Sequence, residues 1–553
     1  MPNPPVKREP YYPRMNFFST FLLSIALSAP WCPALESANL APQEPVVVEP
    51  VVVATDVSVA PTISHEERLK RTHIYTTGSR YILQLVLDTV LQSEIERRQQ
   101  TGIFVGAVEV TDAEVQAEVQ RRYDMVMEQD PTVDFWAMVR AQGFTEATFG
   151  QELRRGMIAQ RMFFPTDPSD WPLDQIKEIL ADQWDAYVKK DYDALLEKKA
   201  AGEEMLPLAD QMLNQFLMPS VWQYLRERGK ILKPSSGLPE GVCLVVDGKT
   251  FRTDDVLATI DGMLTDTDVL WASTFVANME LLEANLKASG HYMSAADFET
   301  FFSEEGKVYE GTIISHEMMV LQFLGFPSME VYRQYLRARH SFRATMPEAT
   351  SEQYLTMLDQ MVEARGAFYG AGKVRAEVLL ISAREKATGK FRKDGDPYEG
   401  AKERAEEVRQ ILADGEPYDQ VLLQYSDYPE AVANSASSMP QPNRGMFPSL
   451  SRNDLRGFLL ENDYTDFLFG YSISDDIFFR ADLNAVYGPV KGPLGYYFYR
   501  VTGHEAPQKE VDLMNDANVQ WMVNDDLLGL HFIAHLNALR KAAAAEAAAP
   551  TAK

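Results

Sequence analysis

Cysteine is nearly absent from this chain, which has only Cys32 and Cys243 among its 553 residues. Two thiols exclude a dense disulfide framework and a four-thiolate metal site. Positive charge is also scarce, because 53 Lys and Arg residues stand against 80 Asp and Glu residues, which gives a net charge of −27. Such an acidic chain repels phosphate, so neither general nucleic-acid binding nor docking on anionic lipid is expected.

Motifs for common cofactors are missing as well. The chain has no Walker loop, no G-x-S-x-G elbow and no dinucleotide fingerprint, so no cofactor is predicted. His531 and His535 have the i, i+4 spacing of a zinc-binding helix, but Phe532 stands where the H-E-x-x-H motif has Glu. No third ligand is evident, so we assign both histidines to a helix surface or core and predict no metal site.

What the chain does contain is apolar material, with 46 % hydrophobic and 11 % aromatic residues. That content can supply a sizeable core and excludes a wholly disordered chain. At about 150 residues per domain, the length predicts three or four domains.

The amino terminus has the pattern of an export signal. Lys7, Arg8 and Arg14 precede the apolar run Phe17–Ala29, which is too short to span a bilayer comfortably. This segment has three interpretations: a cleaved signal peptide, an uncleaved anchor, or a lipoprotein signal at Cys32. The bulky Trp before that cysteine disfavours lipidation. We expect an exported protein of the periplasm or cell envelope, without a membrane span other than the anchor alternative.

Most of the remaining chain is predicted to be helical, with a weak internal repeat. Residues 143–155 and 325–339 share Gly-Phe, a short polar stretch, an aromatic residue and Leu-Arg. The alternative is chance similarity between two ordinary helices. A capping box at Thr111 and Glu114 predicts one helix start, and Ser294 predicts another.

A different local pattern occupies residues 241–252 (GVCLVVDGKTFR). Two short apolar runs flank Asp247-Gly248, which predicts a strand pair about a tight turn. Cys243 lies within the first run, so its thiol is expected to be buried.

Residues 373–505 break the helical pattern. An apolar strand, Val374–Ile381, is followed by helices at 398–412, 418–425 and about 453–460. A strand–turn–strand at 487–501 completes the segment. This order predicts a small antiparallel α+β domain, so the fold class is a multidomain protein with a mainly helical body and one small α+β domain.

The predicted organisation has eight parts. They are a signal peptide or anchor (1–38), a Pro/Val-rich linker (39–75), a helical repeat (76–165), a charged helical connector (166–240), a second helical repeat (241–372), the α+β domain (373–505), a C-terminal helix (506–541) and a tail (542–553).

The α+β segment resembles the parvulin family of peptidyl-prolyl isomerases. Tyr418–Ser426 (YDQVLLQYS) is similar to the family's F-x-x-L/V-A-x-x-Y-S segment, and Gly445-Met446-Phe447 to its Gly-x-Phe turn. Residues 488–490 and 495–497 are similar to its closing G-P-V and G-Y-H. The helical body with a Val-Asp-Gly turn looks like that of SurA/PrsA-type exported chaperones, which flank parvulin domains with helical arms.

At the positions that the resemblance assigns to catalysis, the residues differ from the family pattern. Val378 and Tyr497 stand in place of the two active-site histidines, and Tyr428 stands in place of the intervening Cys or Asp. The apolar wall that would hold the proline ring matches the family pattern better than the catalytic positions do. Its candidate residues are Met446, Phe447, Leu455, Phe458 and Leu459.

The resemblance implies a folding factor that binds unfolded or proline-containing polypeptide. An apolar pocket can desolvate an X-Pro amide and favour its twisted state without a nucleophile. Because both histidines are lost, isomerase activity is expected to be weak or lost while binding persists. The alternative is a structural or adaptor protein of the envelope that uses the same fold for partner contacts.

Overall fold

A computed structural model describes residues 63–102, 108–131, 133–141, 144, 146–181, 183–204, 217–309, 314–384, 391, 395–428, 445–513 and 515–548. The predicted signal segment and linker residues 39–62 lie outside these residues. The end of the predicted linker is helical, because residues 65–75 form a helix. Within the described residues, the chain forms two compact units. A discontinuous unit comprises His65–Ser79 and residues 253–548, and an inserted unit is formed by residues 80–252.

The predicted fold class is confirmed, because helices dominate and the strands form two small antiparallel sheets. The discontinuous unit starts with α1 (His65–Tyr75). The inserted unit then contains α2 (Ser79–Thr101), α3 (Asp112–Gln129), α4 (Phe135–Ala141), α5 (Glu146–Phe163), α6 (Leu173–Leu180), α7 (Lys189–Ala200), α8 (Met218–Arg228), β1 (Ile231–Leu232), β2 (Val242–Val246) and β3 (Lys249–Arg252).

The inserted unit is held together by an apolar cluster and a buried ion pair. Side chains of α3, α4 and α5, such as Val115, Phe135 and Phe149, form the cluster. Arg98 is fully buried on α2, where its Nε lies 3.0 Å from Glu94 Oε1 and it donates a 2.7 Å hydrogen bond to the Met162 carbonyl oxygen. The paired charges avoid the cost of an isolated buried cation.

Two local predictions in this unit are confirmed. The Thr111 side chain accepts a hydrogen bond from the Glu114 backbone N–H, and the Glu114 carboxylate accepts one in return, which completes the capping box. β2 and β3 pair antiparallel about the predicted turn, and Cys243 is fully buried.

The rest of the discontinuous unit begins with helices. These are α9 (Thr253–Ile260), α10 (Asp266–Ala288), α11 (Ala295–Lys307), the short α12 (His316–Met318), α13 (Met329–Arg343) and α14 (Glu352–Tyr369). The Ser294 side chain accepts the Asp297 backbone N–H and so caps α11, as predicted. No helix in the described part of the chain is both long and apolar enough to cross a membrane.

The α+β segment follows directly. Its elements are β4 (Lys373–Ser382), α15 (Pro397–Ala413), α16 (Tyr418–Tyr425), α17 (Arg452–Leu459), α18 (Asp463–Phe469), α19 (Ile473–Phe479), β5 (Val486–Gly492) and β6 (Gly495–Glu505). The strands form an antiparallel sheet in the order β4–β6–β5. Each face of this sheet carries its own apolar cluster, because neighbouring residues of a strand point to opposite faces.

The turn between α14 and β4 is tight. The Gly370 carbonyl oxygen accepts a 2.8 Å hydrogen bond from the Gln508 N–H, and a β-carbon on Gly370 would come within 2.5 Å of the Lys509 carbonyl oxygen. The chain at Gly370 is therefore packed against the segment that follows β6.

The C-terminal helix, α20 (Ala517–Ala548), completes the unit. Val519, Val523 and Leu527 pack against α14, and Phe532 packs near Tyr335 and Phe342 of α13. Further along, Arg540 and Asn537 donate hydrogen bonds to the carbonyl oxygens of Leu468 and Gly470, each 2.7 Å long. One helix thus holds both the helical layer and the α+β segment.

Residues 461–475, an insertion by comparison with the parvulin pattern, supply a further contact between these two parts. Phe467 of α18 lies 5.6 Å from the Phe275 ring and 5.2 Å from the Tyr335 ring, measured between centroids. Its carbonyl oxygen also accepts a 3.1 Å hydrogen bond from the Asn278 amide. The insertion is therefore the segment by which the α+β part packs on α10 and α13.

Candidate functional site

The positions that correspond to a parvulin active site meet on one face of the β4–β6 sheet. Leu380 of β4 pairs with Tyr497 of β6, and Val378 pairs with Tyr499 two residues away. Both candidate residues on the strands, Val378 and Tyr497, are fully buried. Tyr428 belongs to the same apolar cluster, so the structure brings these three residues together.

Tyr428 reaches this cluster because the chain after α16 runs beside β4. The Asp427 N–H donates a 2.7 Å hydrogen bond to the Leu380 carbonyl oxygen, and the Ser382 N–H donates a 2.9 Å bond to the Asp427 carboxylate. The following residue, Tyr428, then turns its ring toward the sheet. It meets Phe447 edge to face, at 5.7 Å between ring centroids.

Close backbone approach fixes the other side of the cluster. The Val378 N–H donates a 2.7 Å hydrogen bond to the Gly445 carbonyl oxygen. Gly445 has a φ of +99°, and a β-carbon there would lie 1.8 Å from the Val378 carbonyl oxygen. Only glycine fits at this position, which sets Phe447 against the sheet.

The apolar wall is present, but its side chains fill the space themselves. Phe447, Leu455 and Leu459 are 3 %, 0 % and 0 % exposed, and Phe458 packs half-buried against the same cluster. Met446, by contrast, packs against the cluster on the opposite face of the sheet. In this structure, four of the five wall positions therefore form a core on one face and the fifth lies behind the sheet.

The Tyr497 hydroxyl is satisfied within this core. It accepts a 3.2 Å hydrogen bond from the Leu494 N–H and donates a 3.4 Å bond to the Leu459 carbonyl oxygen. Burial raises the pKa of Tyr497 well above its ordinary value, and the neighbouring Tyr428 adds to the rise. This phenol is a neutral structural group at physiological pH.

The Tyr428 hydroxyl differs, because it has no hydrogen-bond partner among the described residues. The residue is nevertheless buried, with only 8 % of its surface exposed. Burial raises the pKa of this phenol, and the Glu461 carboxylate raises it further. A buried hydroxyl without a partner costs roughly 1–3 kcal/mol. On this face of the sheet, the neutral Tyr428 O–H is therefore a hydrogen-bond donor that has no acceptor among the described residues.

Glu461 is a buried residue that the sequence reading did not single out. Its carboxylate accepts hydrogen bonds from the N–H groups of Ile473 (2.6 Å) and Ser474 (2.9 Å), and from the hydroxyls of Ser472 and Ser474. The negative charge thus sits at the amino-terminal end of α19, where unpaired N–H groups favour an anion. The sequence signal for this contact was Ser472-x-Ser474 following Glu461. The two serines lie eleven and thirteen residues after the glutamate, so no local pattern connects them.

Charged side chains beside the core form a second network. Asp475 accepts hydrogen bonds from Arg365 of α14 (2.9 Å) and Arg452 of α17 (2.6 Å). Arg365 also lies 3.7 Å from Asp526 of α20, which accepts a 2.9 Å bond from the Tyr369 hydroxyl. These ion pairs connect the α+β segment with α14 and α20.

The two histidines of α20, His531 and His535, lie in different surroundings. His535 Nε2 lies 2.9 Å from the Asn285 side-chain oxygen, and its ring packs against Phe342. His531 faces a groove beside α14. In the part of the chain that the structure describes, no group of three His, Cys, Asp or Glu side chains is placed to hold a metal ion.

That groove, which we call the methionine groove, has a volume of about 460 Å³ and is not lined by Val378, Tyr428 or Tyr497. The chain after α13, one face of α14 and the middle of α20 form its walls. Its lining methionines are Met346, from the chain after α13, and Met357 and Met361, from α14.

Comparisons with known proteins give only slight similarity. No family model matches the chain, and no curated protein matches it. Among solved structures, a peptidylprolyl isomerase (PrsA) from Bacillus cereus is 11 % identical over 53 % of this chain and 88 % of that chain, with a TM-score of 0.17. PrsA from Bacillus subtilis is 13 % identical over 52 % and 89 %, with a TM-score of 0.14. A peptidylprolyl isomerase (PrsA) from Bacillus anthracis is 11 % identical over 48 % and 94 %, with a TM-score of 0.17.

Proposed function

We propose that this protein is an exported folding factor of the parvulin type, which binds unfolded or proline-containing polypeptide and has weak or no isomerase activity. The observation that carries the proposal is the convergence of Val378, Tyr428 and Tyr497 on one face of an antiparallel β4–β6–β5 sheet. These are the positions at which the family pattern places its catalytic groups. The arrangement is retained while the residue types that would act on an amide are absent.

The closed state of this face supports the second half of the proposal. Isomerisation requires a proline ring to enter an apolar groove and its amide to be desolvated there. Val378, Tyr497, Leu455 and Leu459 have 0 % exposure, so the volume such a ring would need is filled by the protein's own side chains. Efficient turnover would require these residues to separate.

Export is proposed from the basic and apolar amino-terminal segment alone, and the polypeptide partner follows from the parvulin-like order of elements. A non-catalytic envelope adaptor is the second candidate. It is favoured by the insertion, because α18 fastens the α+β segment to α10 and α13 instead of leaving it as a mobile module.

Two assays on the full chain separate these candidates. A protease-coupled assay with a proline-containing chromogenic peptide measures isomerisation, with a histidine-bearing parvulin as the positive control. Suppression of aggregation of a chemically unfolded model protein measures binding of non-native chains. We expect little or no isomerisation together with clear suppression of aggregation.

Other outcomes decide against parts of the proposal. Isomerisation as fast as the control would contradict the reading of the substituted site. Failure of both assays, with the chain folded, would favour the adaptor. Sequencing the amino terminus of the protein recovered from fractionated cells tests export, and an intact terminus on a cytosolic protein would contradict it.

A further inference from the structure

Two polar groups in the helical part of the discontinuous unit face each other without forming a hydrogen bond. Nε2 of His316, at the start of α12, lies 3.6 Å from Oε2 of Glu305 on α11. Both atoms are shielded from solvent, and neither has a hydrogen-bond partner among the described residues. A shift of less than about 1 Å would bring them within hydrogen-bond distance, provided that one of them carries a proton between them.

The neighbouring side chains hold both groups in this orientation. The Tyr332 hydroxyl of α13 donates a 2.6 Å hydrogen bond to Oε1 of Glu305, which leaves Oε2 for His316. The His316 ring stacks on the Tyr309 ring, with 5.1 Å between centroids, and lies 5.1 Å from the Phe302 ring. The gap between His316 and Glu305 is therefore bordered by aromatic rings.

The arginines near the pair already have carboxylate partners. The titratable or charged groups that face the pair are Tyr309, Tyr332, Arg333, Arg339 and Asp525. Arg333 forms an ion pair with Glu299. Arg339 lies 2.7 Å from Asp525 of α20. Neither arginine is therefore dedicated to the Glu305 carboxylate.

The same surroundings determine which member of the pair takes up a proton. Burial raises the pKa of Glu305, although the Tyr332 hydrogen bond opposes the rise. Burial lowers the pKa of His316, and the Arg333 charge lowers it further. Both directions favour a neutral carboxyl group beside a neutral imidazole, in which Nε2 is free to accept a hydrogen bond.

The segment that begins at His316 carries exposed apolar side chains. It continues from α12 into a single π-helical turn, Met319–Phe323. Met318, Leu321 and Phe323 are each 37 % exposed, whereas Val320 is fully buried. Because α12 is only three residues long, a contact at His316 restrains the whole segment.

We infer that uptake of one proton by the Glu305–His316 pair closes the gap and holds residues 316–323 against α11. The Glu305 hydroxyl then donates to His316 Nε2, while Tyr332 continues to donate to Oε1. The native pair binds this proton more tightly than the unfolded chain does, so the stabilising contact is present in mild acid and is lost as the pH rises. This pH-sensitive device goes beyond the proposed function and does not depend on it.

Hydrogen–deuterium exchange of the full chain, measured by mass spectrometry, tests this inference. Backbone amides of residues 316–324 are compared at pH 7.5 and pH 5 after correction for the intrinsic pH dependence of exchange, and β4 serves as the internal reference. We expect protection of residues 316–324 to rise about fivefold at pH 5, the effect of one added hydrogen bond on local opening. Protection of β4 should change by less than about twofold.

Matched variants assign the change to the pair. Glu305→Gln carries a neutral amide that can donate to His316 Nε2 at any pH, so residues 316–324 should be protected at both pH values. His316→Ala removes the acceptor, so protection should be low at both. Glu304→Gln is the control, because it neutralises the adjacent carboxylate, whose side chain is 64 % exposed, and should keep the pH response. Circular dichroism checks that each variant is folded.

Three results would overturn the inference. The first is equal protection of residues 316–324 at the two pH values in the unmodified chain. The second is a pH response that persists in folded Glu305→Gln or in folded His316→Ala, and either variant alone is decisive if the other does not fold. The third is loss of the pH response in Glu304→Gln. The isomerisation and aggregation assays test the proposed function separately, so failure here leaves their outcome unaffected.

Discussion

The ring of Tyr428 meets the ring of Phe447 edge to face, with 5.7 Å between the centroids and an angle of 87° between the planes. One residue stands at a position that the parvulin pattern assigns to catalysis, and the other at a position it assigns to proline binding. Their direct contact means that the catalytic side and the binding side of the expected groove are packed together.

Placing a histidine at the first family position should destabilise the protein instead of restoring activity. Val378 is fully buried among apolar side chains, so Val378→His would bury an imidazole without a provided partner. We expect the free energy of unfolding to fall by about 2–4 kcal/mol, measured by urea denaturation. Isomerase activity should not rise.

The control for that substitution is Val486→His on β5 of the same sheet. Val486 is 44 % exposed, so the imidazole remains in water and the stability should change by less than about 0.5 kcal/mol. A stable Val378→His variant with increased isomerase activity would mean that the face opens to admit substrate.

The two tyrosine hydroxyls in the core should respond differently to removal. Tyr497→Phe deletes a hydroxyl that bonds Leu494 and Leu459, so it should lower the free energy of unfolding by about 1 kcal/mol. Tyr428→Phe deletes a hydroxyl without a partner among the described residues, so stability should stay the same or rise slightly. Thermal unfolding of the paired variants measures the difference. A larger loss in Tyr428→Phe would show that its hydroxyl is bonded in solution.

Neutralising Asp475 should strongly destabilise the discontinuous unit at neutral pH. Asp475→Asn leaves Arg365 and Arg452 without their shared carboxylate, and breaking a buried pair costs about 3–5 kcal/mol. Glu416→Gln is the control, because it neutralises an exposed carboxylate. Urea unfolding at pH 7 measures both variants, and equal effects would exclude a special role for this network.

The effect of Asp475→Asn should shrink in acid. Burial by itself would raise the pKa of Asp475, but Arg452 and Arg365 outweigh it and hold the pKa at about 2, below the ordinary 3.8. Between these two values the unfolded state binds more protons than the native state, so this carboxylate's contribution is lost as the pH falls from about 4 to about 2. Wild type and variant should therefore converge in stability over that interval.

Two glycines in the α+β segment should have opposite responses to alanine. Gly445→Ala places a β-carbon against the Val378 carbonyl oxygen at a φ of +99°, which should cost about 3 kcal/mol or more. Gly457→Ala adds a methyl group to the exposed side of α17, where no atom lies within 4 Å. It should stabilise the protein by about 0.5–1 kcal/mol. Unfolding midpoints in urea provide the comparison, and a neutral Gly445→Ala would contradict the close approach.

Elements with strong local signals could be predicted from the sequence. The capping box at Thr111, the strand pair around Asp247-Gly248 and the strand at Val374–Ile381 depend on residues close together in the chain. The fold class, a helical body with a small α+β part, could be predicted for the same reason, and the structure confirms it.

Features that depend on distant residues could not be predicted. That Leu455 and Leu459 fill the groove instead of lining it depends on how α17 lies on the sheet. The methionine groove joins α14 with α20, more than 150 residues apart, and no periodicity within either helix reveals the partner. Met446 was predicted to line the apolar wall because it precedes Phe447 in the Gly-Met-Phe turn. Adjacent residues of an extended segment point to opposite sides, so Met446 packs on the other face of the sheet.

Helix α20 is about 48 Å long and lies furthest along the chain among the described elements. It supplies one side of the methionine groove, a partner for Arg365 and the donors that bond the carbonyl oxygens at the end of α18. Domains generally fold as their residues leave the ribosome, amino-terminal parts first. The discontinuous unit, although it begins at α1, therefore has to wait until α20 has been synthesised before its contacts can close, whereas the inserted unit has all of its residues some 300 residues earlier.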